Sequence, residues 1–165
     1  MEAVATKNVV DEGKFLTFVL SKEEYGIEIL KVREIIGLMD ITTVPQTPDY
    51  MKGIINLRGK VIPVIDLRLK FSMPEEEQTQ ETCVIVVEVG AYSNTPQQIG
   101  IIVDNVSEVL NIKGEEIEEA PHFGQEIDTS FIMGLGKAKE KIIILLDIEK
   151  VLSSEELEMV KQIAA

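Results

Sequence analysis

Few residues in this chain are of a type that carries covalent or metal chemistry. Cys83 is the single cysteine and His122 the single histidine, so neither an intramolecular disulfide nor a Cys/His zinc cage can form within one chain. Cys83 lies in the apolar run Thr82-Cys83-Val84-Ile85-Val86-Val87 with no cation beside it, which predicts a packing residue, not a reactive thiolate. His122 stands between Pro121 and Phe123-Gly124, a solvated-loop composition, and has no local partner that would make it a base. The pairs Glu115-Glu116 and Glu118-Glu119 belong to a charge run and read as a solvated face. Gly134-Leu135-Gly136-Lys137 has glycines but lacks the spacing and following helix of a phosphate loop, and predicts a turn. No catalytic residue, metal or cofactor is expected; a small hydrolase using a carboxylate is the enzymatic alternative, with nothing positive to support it.

Binding chemistry has a better candidate. In Lys52-Gly53-Ile54-Ile55-Asn56-Leu57-Arg58-Gly59-Lys60-Val61-Ile62-Pro63-Val64-Ile65-Asp66-Leu67-Arg68, the stretch Asn56 to Lys60 predicts a hairpin between two apolar strands. Gly59 can take a positive φ there, and Arg58 projects from the bend. Arg58 is then an interaction handle, a partner for an acidic neighbour such as Glu34, or both, since a carboxylate that fixes a guanidinium pre-organises it. In the strand Val32 to Leu38, Val32, Glu34, Ile36 and Leu38 share one face, and Arg33, Ile35, Gly37 and Met39 the other. Neither face is cleanly polar. Two readings stay open: burial on both sides within a barrel wall, or an exposed apolar strip that meets another protein.

The elements that must position these residues are short, rich in Val and Ile, and separated by turn residues: Phe15 to Leu20, Tyr25 to Ile29 and Val61 to Ile65. That is the pattern of many closely spaced β-strands. Pro63 cannot donate to a ladder, which predicts an edge or a bulge. Residues 1–13 read as a flexible arm, and the polar, acidic run 72–81 as a loop joining two halves, approximately 14–71 and 82–147. Ser153 and Glu156 have capping-box spacing, and Leu157, Val160 and Ala164 recur at helical intervals, so 153–165 predicts a short C-terminal helix. At 165 residues and 45% hydrophobic content the chain can bury a core without staples, and its net charge of -13 disfavours nucleic acid and anionic lipid as partners. No signal-peptide pattern or long apolar run is found, which predicts a soluble, intracellular protein without direct membrane contact.

The two halves resemble each other. Tyr25-Gly26-Ile27-Glu28-Ile29-Leu30-Lys31-Val32-Arg33-Glu34-Ile35-Ile36 lies without a gap on Ile99-Gly100-Ile101-Ile102-Val103-Asp104-Asn105-Val106-Ser107-Glu108-Val109-Leu110, matching the glycine, the glutamate and most apolar positions. Gly53 also precedes Asp66 by the same interval at which Gly134 precedes Asp147, and each Asp ends an apolar run. Two copies of one small β-unit are implied, each closing into a barrel, with a groove between them.

The segment Tyr25 to Ile35, then Thr47-Pro48 through Gly59, then Val61 to Arg68, closely resembles the CheW family of chemotaxis coupling proteins, and the likeness extends from about Lys14 to the C-terminus. A related domain occurs in the kinase CheA and in proteins that join it to a receiver. The resemblance implies a mainly β fold of two intertwined SH3-like five-stranded barrels over 14–152, followed by the helix. It implies a non-enzymatic adaptor that couples the histidine kinase CheA, through its regulatory domain, to the cytoplasmic tips of methyl-accepting chemoreceptors in membrane-anchored arrays. The positions matching the receptor-binding set are Val32, Glu34, Gly53, Arg58, Gly59 and Gly134, with Arg58 as polar anchor. Those matching the kinase-binding set are Leu16, Ile29, Val32 and Ile35; Val32 falls in both. A small-molecule-binding β-barrel is the competing reading, and it requires a hollow interior.

Overall fold

Period-2 alternation of Val and Ile between polar residues places one side of each strand inside, and the chain folds accordingly. The computed structural model describes residues 13–74, 76–90, 96–120 and 130–164; of the expected arm 1–13, residues 1–12 lie outside them, as does His122, and Gly13 already belongs to the first strand. The strands are β1 Gly13–Leu20, β2 Glu23–Glu28, β3 Val32–Gly37, β4 Met51–Leu57, β5 Lys60–Asp66, β6 Cys83–Val89, β7 Gln97–Val103, β8 Asn105–Ile112, β9 Ile117–Glu118, β10 Ile132–Ala138 and β11 Lys141–Leu146. Two helices accompany them, α1 Leu67–Lys70 and α2 Ser154–Ala164. No helix among the described residues is long and apolar enough to cross a membrane.

One sheet has six strands in the order β8-β1-β2-β11-β10-β9, the other five in the order β3-β6-β7-β5-β4. Each sheet therefore draws strands from both halves of the sequence. A division into 14–71 and 82–147 does not separate them, because β2 pairs in parallel with β11, and β5 in parallel with β7. The chain changes sheet twice: through a 3-10 turn, Ile29–Lys31, between β2 and β3, and at Asp104 between β7 and β8.

The internal repeat governs this exchange. Gly26 stands opposite Leu145 as Gly100 stands opposite Val64. The Asp66 N–H donates to Tyr50 O at 2.8 Å, and the Asp147 N–H to Phe131 O at 2.7 Å. Each Asp carboxylate then caps the turn it begins, accepting from Arg68 N at 2.9 Å in one case and Glu149 N at 3.0 Å in the other. Gly53 and Gly134 each follow a β-bulge, in β4 and β10. A Cβ on Gly53 would lie 2.1 Å from Thr42 O, and one on Gly134 2.9 Å from Glu118 O. The shared glycine thus lets a neighbouring backbone close against the bulge. Gly134-Leu135-Gly136-Lys137 is accordingly strand, within β10, and not the turn its glycines suggested. Pro63 is not on an edge strand, since β5 lies between β4 and β7. The ladder to β7 begins only at Val64, so the missing N–H removes no bond from it.

Three apolar cores result. Ile55, Ile62, Val64, Val84, Val86 and Ile102 form one cluster within the five-stranded sheet, and Phe15, Ile112, Ile143 and Leu145 another within the six-stranded sheet. The largest core, including Phe18, Ile27, Ile65, Ile85, Ile101 and Leu146, lies between the sheets. That space is packed by side chains from both sheets. Helix α2 closes the large core with Val160. Its capping box forms as expected, Glu156 N–H donating to Ser153 Oγ at 3.1 Å and Ser153 N–H to Glu156 Oε1 at 2.8 Å.

Candidate binding site

The hairpin β4–β5 turns on Arg58 (φ +54°) and Gly59 (φ +87°), the paired positive dihedrals of a tight hairpin turn. The Gly59 N–H donates to Asn56 Oδ1 at 2.8 Å and stiffens the bend. Arg58 Nη1 donates to Glu34 Oε2 at 3.3 Å, while Nη2 pairs with Oε1. The fork is bidentate, so hydrogen bonding from Arg58 holds the Glu34 carboxyl below its ordinary range. Arg58 remains mostly exposed. An exposed pair of this kind adds little stability, so its effect is orientation: a guanidinium held at a rigid turn with part of its donor edge facing solvent. The pairing of Arg58 with Glu34 expected from sequence is present.

Strand β3 separates its two faces more cleanly than its sequence does. Val32, Glu34 and Ile36 are half-buried, whereas Arg33, Ile35 and Gly37 are exposed. Ile35 is 45% exposed, so burial on both sides is overturned and the apolar strip faces outward. Glu34 and Ile35, adjacent in sequence, therefore address opposite sides of one strand.

The expected receptor set is partly assembled. Val32, Glu34, Gly53, Arg58 and Gly59 belong to the five-stranded sheet and its hairpin, with Glu34 and Arg58 in contact; Gly134 lies in the six-stranded sheet. Gly53 and Gly134 are buried, and the backbone closures described above account for both. In the expected kinase set, Leu16 must be removed. It lies in β1, in the other sheet from Val32 and Ile35, is 2% exposed and packs in the large core. Ile29 and Val32 are half-buried against that core, which leaves Ile35 as the member most open to a partner.

Sequence reasoning missed two features that the repeat could have disclosed. The ion pair is duplicated: Lys139, at φ +54° on the β10–β11 turn, donates to both carboxylate oxygens of Glu108 at 3.0 Å. Glu108 is the residue aligned with Glu34. At the sheet crossing, Leu30 aligns with Asp104, and the two behave oppositely. Asp104 accepts from Arg68 Nε at 2.8 Å and Nη2 at 2.6 Å, and from the Ser21 N–H at 2.9 Å. Burial by itself would raise the Asp104 carboxyl, but Arg68 and Ser21 outweigh it and hold it low. Leu30 instead points into solvent.

The clefts offer little to a small molecule. One of about 480 Å³ lies beside Lys22, Lys52 and Arg68 under the acidic loop Glu76 to Glu81 and is strongly charged. Another of about 590 Å³ sits where the halves meet, beside the stacked rings of Phe71 and Phe131, 5.0 Å apart. Arg58 lines neither. Each sheet carries a packed cluster of its own apolar side chains, unlike a ligand barrel. Cys83 is half-buried and burial pushes its thiol up, in keeping with packing.

Two filled β-units that exchange strands and present rigid exposed side chains define a binding scaffold. A CheW-like domain model matches residues 14–156, and the chain belongs to the CheW family of non-catalytic chemotaxis coupling proteins. It is 46% identical over 151 residues to Chemotaxis protein CheW of Klebsiella aerogenes, covering 92% of this chain and 88% of that protein. It is 35% identical over 150 residues to the CheW of Bacillus subtilis, covering 91% and 93%. The crystal structure of the scaffolding protein TtCheW from Thermoanaerobacter tengcongensis superposes with a TM-score of 0.77 at 37% identity, covering 88% of this chain and 97% of that one.

Proposed function

We propose that this chain couples the histidine kinase CheA, through its regulatory domain, to the cytoplasmic tips of methyl-accepting chemoreceptors, working in the cytoplasm within membrane-anchored arrays. The observation that carries this reading is the division of β3: Glu34 faces the hairpin and orients Arg58, while Ile35 faces solvent on the opposite side. A receptor helix meeting Arg58 and a kinase domain meeting Ile35 would then occupy different sides of the five-stranded sheet and bind together. Val32 and Gly59 flank the receptor side, and Gly53 and Gly134 act there by setting the backbone. Ile29 and Val32 support the kinase side from beneath.

Coupling in such a scaffold is a matter of differential binding. A change at the receptor tip alters kinase populations only where contacts differ between signalling states. Individual contacts of about micromolar affinity, on the order of -8 kcal/mol, suffice when an array supplies many of them. The test is co-sedimentation with receptor-containing membranes and full-length CheA. Arg58→Ala is expected to lose receptor binding and retain kinase, and Ile35→Glu the reverse, with both variants keeping the parent's circular dichroism. Unchanged receptor binding by Arg58→Ala would refute the anchor, and binding of neither partner by the parent protein would refute the adaptor reading.

A further inference from the structure

The β10–β11 hairpin is a second copy of the β4–β5 hairpin, and the pair separates what closes such a turn from what else it carries. Counted back from the shared Asp, Asn56, Arg58, Gly59 and Lys60 stand where the second half has Lys137, Lys139, Glu140 and Lys141. Both turns place two residues at positive φ, +54° and +87° in the first, +54° and +62° in the second. Both hold their cation on a glutamate, Arg58 on Glu34 and Lys139 on Glu108. The second turn closes without a glycine, and its Lys137 reaches away to Glu118 on β9. In the first, Asn56 Oδ1 accepts from the Gly59 N–H at 2.8 Å. The fold therefore closes this hairpin with neither Asn nor Gly, and the bond from Gly59 to Asn56 is something added.

What it adds is a fixed base for the cation. The Gly59 N–H belongs to the peptide that directly follows the Arg58 Cα, so Arg58 is held at both ends: its guanidinium by Glu34 and its backbone by Asn56. Lys139 is held at its tip by Glu108. Asn56 and Arg58 are both exposed, so these bonds contribute little stability; they remove freedom that binding would otherwise have to remove. The planar guanidinium then keeps a fixed direction for its remaining donors, which a round ammonium does not have. A Cβ on Gly59 would meet nothing within 4 Å, so its absence leaves the flank of Arg58 open to a partner and relieves no crowding within the chain.

We propose that Asn56 is a positioning residue for Arg58, and that this lock makes the first hairpin, and not its copy on the second barrel, the one that anchors a receptor helix. The inference rests on the receptor reading of Arg58 and adds the residue that selects between two equivalent turns. Co-sedimentation with receptor-containing membranes tests it for Asn56→Ala, Asn56→Asp, Arg58→Ala and Lys139→Ala. Binding of full-length CheA and nitrogen relaxation of the Arg58 Nε–H in the receptor-free protein are the further readouts. Asn56→Ala is expected to weaken receptor binding about three- to tenfold, the effect of freeing one long side chain, with kinase binding like the parent's and a more mobile Arg58 Nε–H. Asn56→Asp keeps an accepting oxygen and should restore most of both losses, while Lys139→Ala should bind receptor as the parent does. Parent-like receptor binding by Asn56→Ala alongside a loss in Arg58→Ala would overturn the lock and leave the anchor standing. Parent-like binding by Arg58→Ala would overturn the anchor itself. Loss of both partners by Asn56→Ala, or loss of receptor with an unchanged Arg58 Nε–H, would overturn the positioning role. A loss in Lys139→Ala as large as that in Arg58→Ala would overturn the selection between hairpins.

Discussion

Gly53→Ala and Gly134→Ala form a matched pair, because the two glycines occupy the same position of the repeat but differ in strain. Gly53 has φ +147°, and a Cβ there would meet Thr42 O at 2.1 Å and Ile41 Cγ2 at 2.8 Å. Its neighbour Ile54 exchanges two backbone bonds with Thr42, each 2.9 Å. An alanine must therefore separate the segment around Thr42 from β4. Holding a non-glycine residue at such a dihedral costs about 1–3 kcal/mol, and losing two backbone bonds about 0.5–1.5 kcal/mol each. The expected destabilisation is about 4 kcal/mol. Gly134 has no positive φ, but its Cβ would stand 2.9 Å from both Glu118 O and Ile117 Cγ2, so the backbone of β9 must give way, at about 1–3 kcal/mol. Urea unfolding followed by far-UV circular dichroism measures both; the chain has no tryptophan to report by fluorescence. The slope m should hold while the midpoint falls, further for Gly53→Ala. A Gly53→Ala protein within about 0.5 kcal/mol of the parent, or one more stable than Gly134→Ala, would refute the account of these glycines as backbone closures.

Two further outcomes follow from the same geometry. Asp104→Asn should cost about 3 kcal/mol at neutral pH, because Arg68, 8% exposed, loses its closest charged partner and keeps Glu76 only at 3.8 Å. Since Asp104 titrates below its ordinary value when folded, its contribution is complete above pH about 4 and is lost as the pH falls through the folded value. The variant should therefore show a shallower loss of stability on acidification, measured by urea midpoints from pH 7 to 3. Val160→Ala removes two methyl groups from a fully buried site and should cost about 2–3 kcal/mol, read by thermal melting; an unchanged melt would mean that α2 does not seal the core.

The local features of the fold were legible because they are written locally. Val and Ile alternation gave the strands, Asn56 to Gly59 gave the hairpin, and Ser153 with Glu156 gave the helix start. The repeated Gly-to-Asp interval gave the duplication, even though its physical meaning, a backbone closure followed by a capped turn, needed the structure. What was not legible is which strands pair across the molecule. Nothing in Tyr25 to Ile27 specifies Ile144 to Leu146 as a parallel neighbour, because any apolar strand presents the same ladder. Leu16 entered the kinase set through the family resemblance alone, and its burial in β1 within the large core is a tertiary fact. At the site, the Glu34–Arg58 pair was anticipated from charge and position. Leu30 carried no reading from sequence, although the repeat aligns it with Asp104.

The exchange of strands also fixes how such a molecule can carry force. The β2–β11 ladder lies within the six-stranded sheet and the β5–β7 ladder within the five-stranded one, and each joins residues from opposite halves of the sequence. The Arg58 hairpin and Ile35 belong to the same five-stranded sheet, so any displacement between them runs through that sheet's ladders and the Glu34–Arg58 pair, not across the seam between the sheets. Severing the chain in the acidic loop between α1 and β6 would leave two fragments still stitched through both sheets, each unable to complete a sheet without the other.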